Sequence, residues 1–254
     1  MSDRKNIHKI QPYERLASYY DRLMDYIDYD IWVEDIELLV KPFKPANKWL
    51  DISCGTGSMA IRLAKLGLNM TAVDLSPDMI NIAKEKAKLE KVEINFAVGD
   101  MINYHPEQTY DVIINLHDGL NYLLDIADIQ SFMNNTYTLL NPGGILLFDV
   151  ATPLLCQTHF RGYREIFHDE QGGYERYTNY DPNARLAESV FTLDTGQVGT
   201  VDVETHLQKA YELVDVENFC KASVFEWWQI LDDESLEAGS VDSERFLVLL
   251  RKSA

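Results

Sequence analysis

Cysteine is scarce in this chain, and the three residues present, Cys54, Cys156 and Cys220, are scattered. An odd, dispersed set excludes a disulfide framework and lacks the paired spacing of a zinc site. Long apolar runs are missing too; GGILLF at 143–148 is among the longest. That is far short of the roughly 20 residues a membrane-spanning helix needs. The first residues, MSDRKNIHKIQPYE, carry charges with no apolar stretch behind them, so no secretory signal is expected and the protein is expected to be cytoplasmic. Basic residues are outnumbered, 23 Lys and Arg against 41 Asp and Glu, for a net charge of −18. Such a balance repels polyphosphate and anionic lipid, which argues against nucleic acid or a membrane surface as partner. No Gly/Ser or Pro-rich tract marks a linker or a disordered segment, and no internal repeat is visible.

With 254 residues, 46% of them hydrophobic, the chain can bury a substantial core. From 49 to 150 short apolar runs alternate with amphipathic segments, the pattern of a parallel sheet covered by helices. Strands are predicted at 48–52 (KWLDI), 70–74 (MTAVD), 92–97 (VEINFA), 110–116 (YDVIINL) and 144–149 (GILLFD), with helices at 58–66, 77–89 and 126–140. Ser76-Pro77 starts the second helix, and Asn141-Pro142-Gly143-Gly144 is expected to stop the third and turn into the fifth strand. Beyond Val150 the texture changes. Segments 174–180, 187–193 and 199–211 are β-rich, with turns expected at Gly172-Gly173, Asp181-Pro182-Asn183 and Thr195-Gly196, which predicts an antiparallel meander. Residues 13–40 have helical spacing of apolar and aromatic positions.

The most informative stretch runs from Asp51 to Ser58, DISCGTGS, where the first strand gives way to a helix. Gly55 and Gly57 allow a tight turn and let a ligand approach the main chain. Residues 55–60 also satisfy G-x-G-x-x-G/A, so the glycines alone do not separate a nicotinamide dinucleotide from other nucleoside cofactors. Asp51 tilts the balance, because a carboxylate beside the loop would repel a pyrophosphate and attract a cation such as the ammonium and sulfonium of S-adenosylmethionine. Asp74 ends the second strand, where an acid can accept from ribose hydroxyls. Asp100 follows the third strand and can face an adenine amino group, with Met101 against the ring.

Taken in order, WLDISCGTG, AVDLSPDMINIAKEKA, VGDM, YDVIIN and LLNPGGILLFDV resemble the successive motifs of class I S-adenosylmethionine-dependent methyltransferases. The resemblance implies an α/β, Rossmann-like fold: a seven-stranded mixed sheet of order 3-2-1-4-5-7-6, its seventh strand antiparallel and helices on both faces. Strands six and seven would be 222–228 and 245–250. Ser53 departs from the glycine often found there, and Glu217-Asn-Phe-Cys220 departs from the usual Gly-Phe turn before strand six. Tyr13, Ala17, Tyr20-Asp21, Asp118, Asn121-Tyr122 and Gln208-Lys-Ala-Tyr211 are similar to a bacterial small-molecule subgroup, in which a β-sheet inserted after strand five covers the substrate and the N-terminal helix closes on the cofactor.

That resemblance divides the chain into an N-terminal helical lid (1–46), a cofactor-binding core (47–150), an inserted β lid (151–212) and a return to the core (213–254). It assigns Tyr13, Tyr20, Asp51, Ser53, Gly55, Gly57, Asp74, Leu75, Asp100, Met101 and Leu116 to S-adenosylmethionine. On the acceptor side, His117 and Asp118 end the fourth strand at the edge where such sheets bind ligands. Period-two geometry places Glu204 and His206 on one face of a strand, either solvated or lining a pocket. With Tyr122 these form the candidate catalytic set, His117 or His206 serving as base and Asp118 holding a cationic amine. The expected activity is methyl transfer to a small molecule, with similarity to amine and sugar-amine enzymes suggesting nitrogen as the acceptor. An NAD-dependent oxidoreductase and a non-catalytic S-adenosylmethionine-binding protein are the alternatives.

Overall fold

The computed structural model describes residues 6–170 and 172–254. Among the described residues twelve strands form two sheets. The larger contains β2 (Lys48–Asp51), β3 (Asn69–Asp74), β4 (Asn95–Val98), β5 (Tyr110–Asn115), β6 (Leu140–Ala151), β11 (Trp227–Asp232) and β12 (Arg245–Arg251), in the order β11-β12-β6-β5-β2-β3-β4. Read from the other edge this is 3-2-1-4-5-7-6. β12 runs antiparallel to both neighbours, β6 and β11, and β2 to β6 are parallel to one another.

The central strands are apolar on both sides because both faces are covered. Val112, Ile114, Leu147 and Leu249 pack on one face with α2 (Tyr29–Val40), α3 (Ser58–Lys65) and α4 (Pro77–Glu90). Leu50, Ile113, Phe148 and Val248 pack on the other with α5 (Ile126–Leu139) and α7 (Leu213–Ala222), between which the single turn α6 (Pro153–Leu155) falls in the chain. Each fully buried side chain of this kind contributes roughly 1.5–3 kcal/mol. Among the described residues no helix is long and apolar enough to cross a membrane.

The second sheet has the order β1-β10-β9-β8-β7, built from β1 (Asn6–Lys9), β7 (Tyr163–Asp169), β8 (Gly172–Asp181), β9 (Leu186–Asp194) and β10 (Thr200–Lys209). It contains the expected meander and two further strands. β7 pairs with β8, and β1 runs parallel to β10 from Asn6↔Thr200 to Lys9↔Val203. Thr178, Ser189, Glu204 and His206 are buried on its inner face.

Three local expectations need correction. Residues 13–40 form a sustained helix only over Tyr29–Val40; Asp28 caps it by accepting from Asp30 N and Ile31 N, and shorter helical turns precede it over Leu16–Tyr19 and Tyr20–Leu23 (α1). Strand six begins at Trp227, not 222, because Val216, Phe219 and Cys220 share the buried face of α7, which the reciprocal Glu212–Asp215 capping box starts. Finally, β6 begins at Leu140 and absorbs residues 141–144, with a register irregularity opposite Tyr110 and Val112. Gly143 there has φ 77° and its N–H donates to the carbonyl of Lys252, so the glycine bends a strand that is already paired.

Candidate functional site

The parallel strands of the large sheet end on one edge, and the loops after β2, β3, β4 and β5 meet there. In the first loop Gly55 and Gly57 adopt φ of 52° and 79°, left-handed conformations that a side chain strains. A Cβ on Gly57 would also stand 3.1 Å from that of Ala83, so this glycine lets α3 and α4 approach. Asp74 braces the same loop, one oxygen accepting from Gly55 N at 2.8 Å and the other from Ser76 N at 2.9 Å. Burial raises the Asp74 pKa above the usual carboxylate range despite these bonds.

Asp51 is almost completely buried. Burial pushes its pKa up to about 7; the backbone N–H of Ser53 opposes the shift and Asp74 adds to it. A carboxylate so placed gains from any cation that approaches. At the far side, Asp100 accepts from Ile102 N at 3.1 Å, and Met101 takes a contact from Asn115 Nδ2 to its sulfur at 3.3 Å. Leu116 is buried at the end of β5, while Leu75 is exposed beside Asp74. Ser53 Oγ and Asn115 Oδ1 are buried without hydrogen-bond partners. A Cβ on Gly119 would come within 2.7 Å and 2.8 Å of these two atoms, so only a bare backbone fits beside them.

The loop after β5 separates its two candidate residues. His117 and Asp118 both have left-handed φ, 60° and 64°. The His117 ring lies against Tyr29 and Trp32 on α2, with centroids 5.0 Å and 4.7 Å away. Burial, aided by the positive charge of Arg245, lowers its pKa to about 3, so the ring is neutral. Asp118 pairs with Arg245 Nη1 at 2.7 Å. Arg245 also binds Asp149, which is wholly buried and accepts from Asp118 N, and lies 3.5 Å from Asp233.

Tyr122, Glu204 and His206 come together with Tyr13. Glu204 is 0% exposed and its oxygens accept from the backbone N–H of Tyr13 and Arg15, both at 2.7 Å, and of Leu16 at 2.8 Å. Burial alone would raise its pKa, but the hydrogen bond from His206 and those three N–H groups outweigh burial and hold it below the ordinary value. Glu204 is therefore an ionised, acceptor-only group at neutral pH. His206 Nε2, 3.2 Å away, donates to it, and in the neutral imidazole Nδ1 is then the acceptor. The Tyr122 hydroxyl, 3.0 Å from Nδ1, donates there and in turn receives the hydroxyl of Tyr13. Burial raises the pKa of both phenols well above the ordinary value. The result is an unbroken chain, Tyr13 to Tyr122 to His206 to Glu204.

Other residues anchor the N-terminal segment over the loops. Ser76 Oγ donates to the carbonyl of Tyr13 at 3.0 Å; Asp21 accepts from Thr56 Oγ1 at 2.5 Å and from Lys86 at 2.7 Å. Tyr20 stands edge-on to Tyr13, 5.6 Å between centroids, with its ring carbon 3.6 Å from where a Gly55 Cβ would be. Ser76 was legible only as a helix start and Asn115 only as a strand end, and Arg245 had no distinguishing pattern in the sequence. Asp21 and Asn121 did, as members of the loose Tyr-Asp and Asn-Tyr motifs. Asn121 pins its loop, its Nδ2 donating to the carbonyls of Ala151 and Lys209 and its Oδ1 accepting from Ala151 N.

Comparison with known proteins agrees with this fold. Residues 50–144 match the family described as Methyltransferase domain. A protein of Geobacillus sp. (strain WCH70) assigned as a methyltransferase is 32% identical over 246 residues, covering 94% of this chain and 99% of its own. In fold, the crystal structure of an S-adenosylmethionine-dependent methyltransferase from Clostridium acetobutylicum ATCC 824 superposes with a TM-score of 0.79 at 24% identity, over 95% of this chain and 99% of that one. The sugar N-methyltransferase KedS8 from Streptoalloteichus sp. ATCC 53650 has the same architecture, with a TM-score of 0.68 at 20% identity over 93% and 92%. The ambiguity of the glycine loop is thereby resolved away from the nicotinamide enzymes, and the chain belongs to the methyltransferases and has the fold of an S-adenosylmethionine-dependent member.

Proposed function

We propose that this protein methylates a nitrogen of a small-molecule acceptor and that His206, reached through Tyr122 and Tyr13, takes the proton the nitrogen gives up. The observation that carries the reading is the directed hydrogen-bond chain ending on Glu204. Support for nitrogen also comes from the sugar N-methyltransferase of like architecture.

The cleft suits S-adenosylmethionine. Asp51 and the Gly55 loop would hold its charged amino-acid end, Asp74 its ribose, and Asp100 and Met101 its adenine; Ser53 Oγ and Asn115 Oδ1 are buried polar atoms that need a partner. When bound, it supplies a methyl group on a positively charged sulfur. The chain's own residues then have three tasks. Tyr20 and Tyr13 exclude water above Gly55. Tyr13 and Tyr122 orient the acceptor and relay its proton: Tyr13 oxygen accepts it, the Tyr13 proton passes to Tyr122, and the Tyr122 proton passes to His206 Nδ1. Glu204 stabilises the imidazolium so formed and keeps its tautomer correct beforehand. The high phenol pKa values favour relaying over standing ionisation. His117 is packed away on α2 in its neutral form, and Asp118 is ion-paired with Arg245, so we assign them to shaping the loop.

The test is a screen of amines and amino sugars for S-adenosylhomocysteine release, followed by Tyr122→Phe and His206→Gln. General-base loss typically costs about 10²–10⁴ in rate, so kcat should fall by that order while S-adenosylhomocysteine affinity stays within about twofold. Unimpaired kcat in His206→Gln would remove it from the proton path.

A further inference from the structure

Arg176 is the unexplained charge on the inner face of the lid. It shares that face with Tyr174, Thr178 and Tyr180 on β8, and its side chain is only partly exposed. Nε donates to Thr178 Oγ1 at 3.0 Å, and Thr178 in turn bonds Ser189 at 2.8 Å, so the guanidinium is held in place by side chains that are themselves buried. Three rings surround it: Phe191 and Tyr163 with centroids 5.4 Å from Cζ, and Phe160 at 5.7 Å. Yet among the described residues no carboxylate lies within 4 Å of it, and its Nη groups meet no acceptor. In a chain with 41 acidic residues that isolation is notable, since Glu175, the adjacent residue, is engaged by Arg164 instead. A planar guanidinium with its outward pair of N–H groups unmet is the geometry that takes a carboxylate or phosphate in two parallel hydrogen bonds.

Its position ties it to the acceptor side. Sheet register aligns Arg176 with Phe191 on β9 and Glu204 on β10. Phe191 stands between the two functional groups, its ring 5.2 Å from that of His206 and 5.4 Å from the Arg176 guanidinium. Both groups therefore face the space between the lid and the post-β5 loop, separated by about the width of one aromatic ring with its contacts.

We propose that the acceptor carries an anionic group, a carboxylate or a phosphate ester, and that Arg176 binds it while the nucleophilic atom lies near Tyr13 and Tyr122. Naming the ligand as the acceptor rests on the methyl-transfer reading above; the anion site itself does not. Phe191 is the spacer that sets the distance between anion and nucleophile, and the surrounding rings keep the guanidinium from collapsing onto the acidic surface.

The experiment uses full-length protein saturated with S-adenosylhomocysteine and labelled at arginine Nε, observed by NMR while inorganic phosphate, propionate or neutral propionamide is added. The Arg176 resonance, identified by its absence in Arg176→Lys, should shift saturably with both anions at millimolar concentration and not with the amide. Paired acceptors differing only in the anionic group, such as amino acids against their amides and amino-sugar phosphates against free amino sugars, form the second arm. Loss of two charge-assisted hydrogen bonds should cost the neutral member roughly a hundredfold or more in kcat/KM. Arg176→Met should erase that preference with cofactor affinity unchanged. An Arg176 resonance insensitive to phosphate and propionate, or a preference that survives Arg176→Met, overturns the proposal. Failure to bind S-adenosylhomocysteine would instead strike the cofactor reading, so the two failures are told apart.

Discussion

Glu204→Gln tests whether one buried carboxylate holds the N-terminal segment over the cofactor cleft. The substitution preserves volume. It leaves an oxygen for Arg15 N and Leu16 N, but turns those two bonds from charge-assisted to neutral, a loss of about 1 kcal/mol each. It also sets an amide N–H₂ against Tyr13 N–H, so that bond is lost and a donor orphaned, at a further cost of about 1–3 kcal/mol. The docking free energy therefore falls by about 3–5 kcal/mol, a hundredfold to several-thousandfold in the closed-to-open ratio. Titration does not confound the result. The Glu204 pKa is depressed in the fold, so its contribution is present above the ordinary carboxylate value and lost only as pH falls through the lower folded value. Amide hydrogen exchange, followed with S-adenosylhomocysteine bound, should show residues 10–23 protected in the parent protein and exchanging freely in Glu204→Gln. Thr205→Val, on the exposed side of the same strand, should leave protection unchanged. Equal protection in the parent and Glu204→Gln would refute the assignment of Glu204 as the anchor.

Two further outcomes follow from the buried carboxylates. Because burial raises Asp51 to about 7, a cationic cofactor competes with a proton there, and affinity for S-adenosylmethionine should be level above pH 7 and fall by up to about tenfold per unit below it. Calorimetry in two buffers at pH 6 should detect the released proton, and Asp51→Asn should flatten the profile; a parent affinity independent of pH from 5.5 to 8 contradicts this. Arg245→Met leaves Asp118, Asp149 and Asp233 facing one another without their cation, which should cost about 3–5 kcal/mol at pH 7.5. Burial already raises the Asp149 and Asp233 pKa values even beside Arg245, so the penalty should shrink at pH 5.5 as the acids protonate; urea denaturation giving the same loss at both pH values argues against the cluster as drawn.

The large sheet was legible because its strands are short apolar runs bounded by turn residues, and the carboxylates at their ends stand at fixed places in that alternation. What escaped is whatever depends on a distant partner. β1 is exposed at all four positions and exists through its pairing with β10, so no local pattern betrays it. Period two put Glu204 and His206 on the same side of a strand but left open which side faces inward; the answer came from the N–H groups of residues 13–16 and the hydroxyl of Tyr122. Arg245 begins a strand like many others, and the acids that define it are contributed by β6, the post-β5 loop and the turn after β11. The helical spacing of 13–40 was real in composition, yet Asp28 gives its side chain to a helix start and divides the stretch.

The cap over the cleft joins the first strand to the tenth, and Tyr13 meets Glu204 across 191 residues of chain. Ribosomes build that interval at about 5–20 residues per second, so Tyr13 waits roughly 10 to 40 s before its anchor exists. For that time the nascent protein has the glycine loop and Asp74 but no roof over them, and its growing parallel sheet lacks β12, the strand that joins β11 to the rest. Cofactor met during synthesis finds an open ledge, and a covered cleft becomes available only after Glu204 on β10 has been made.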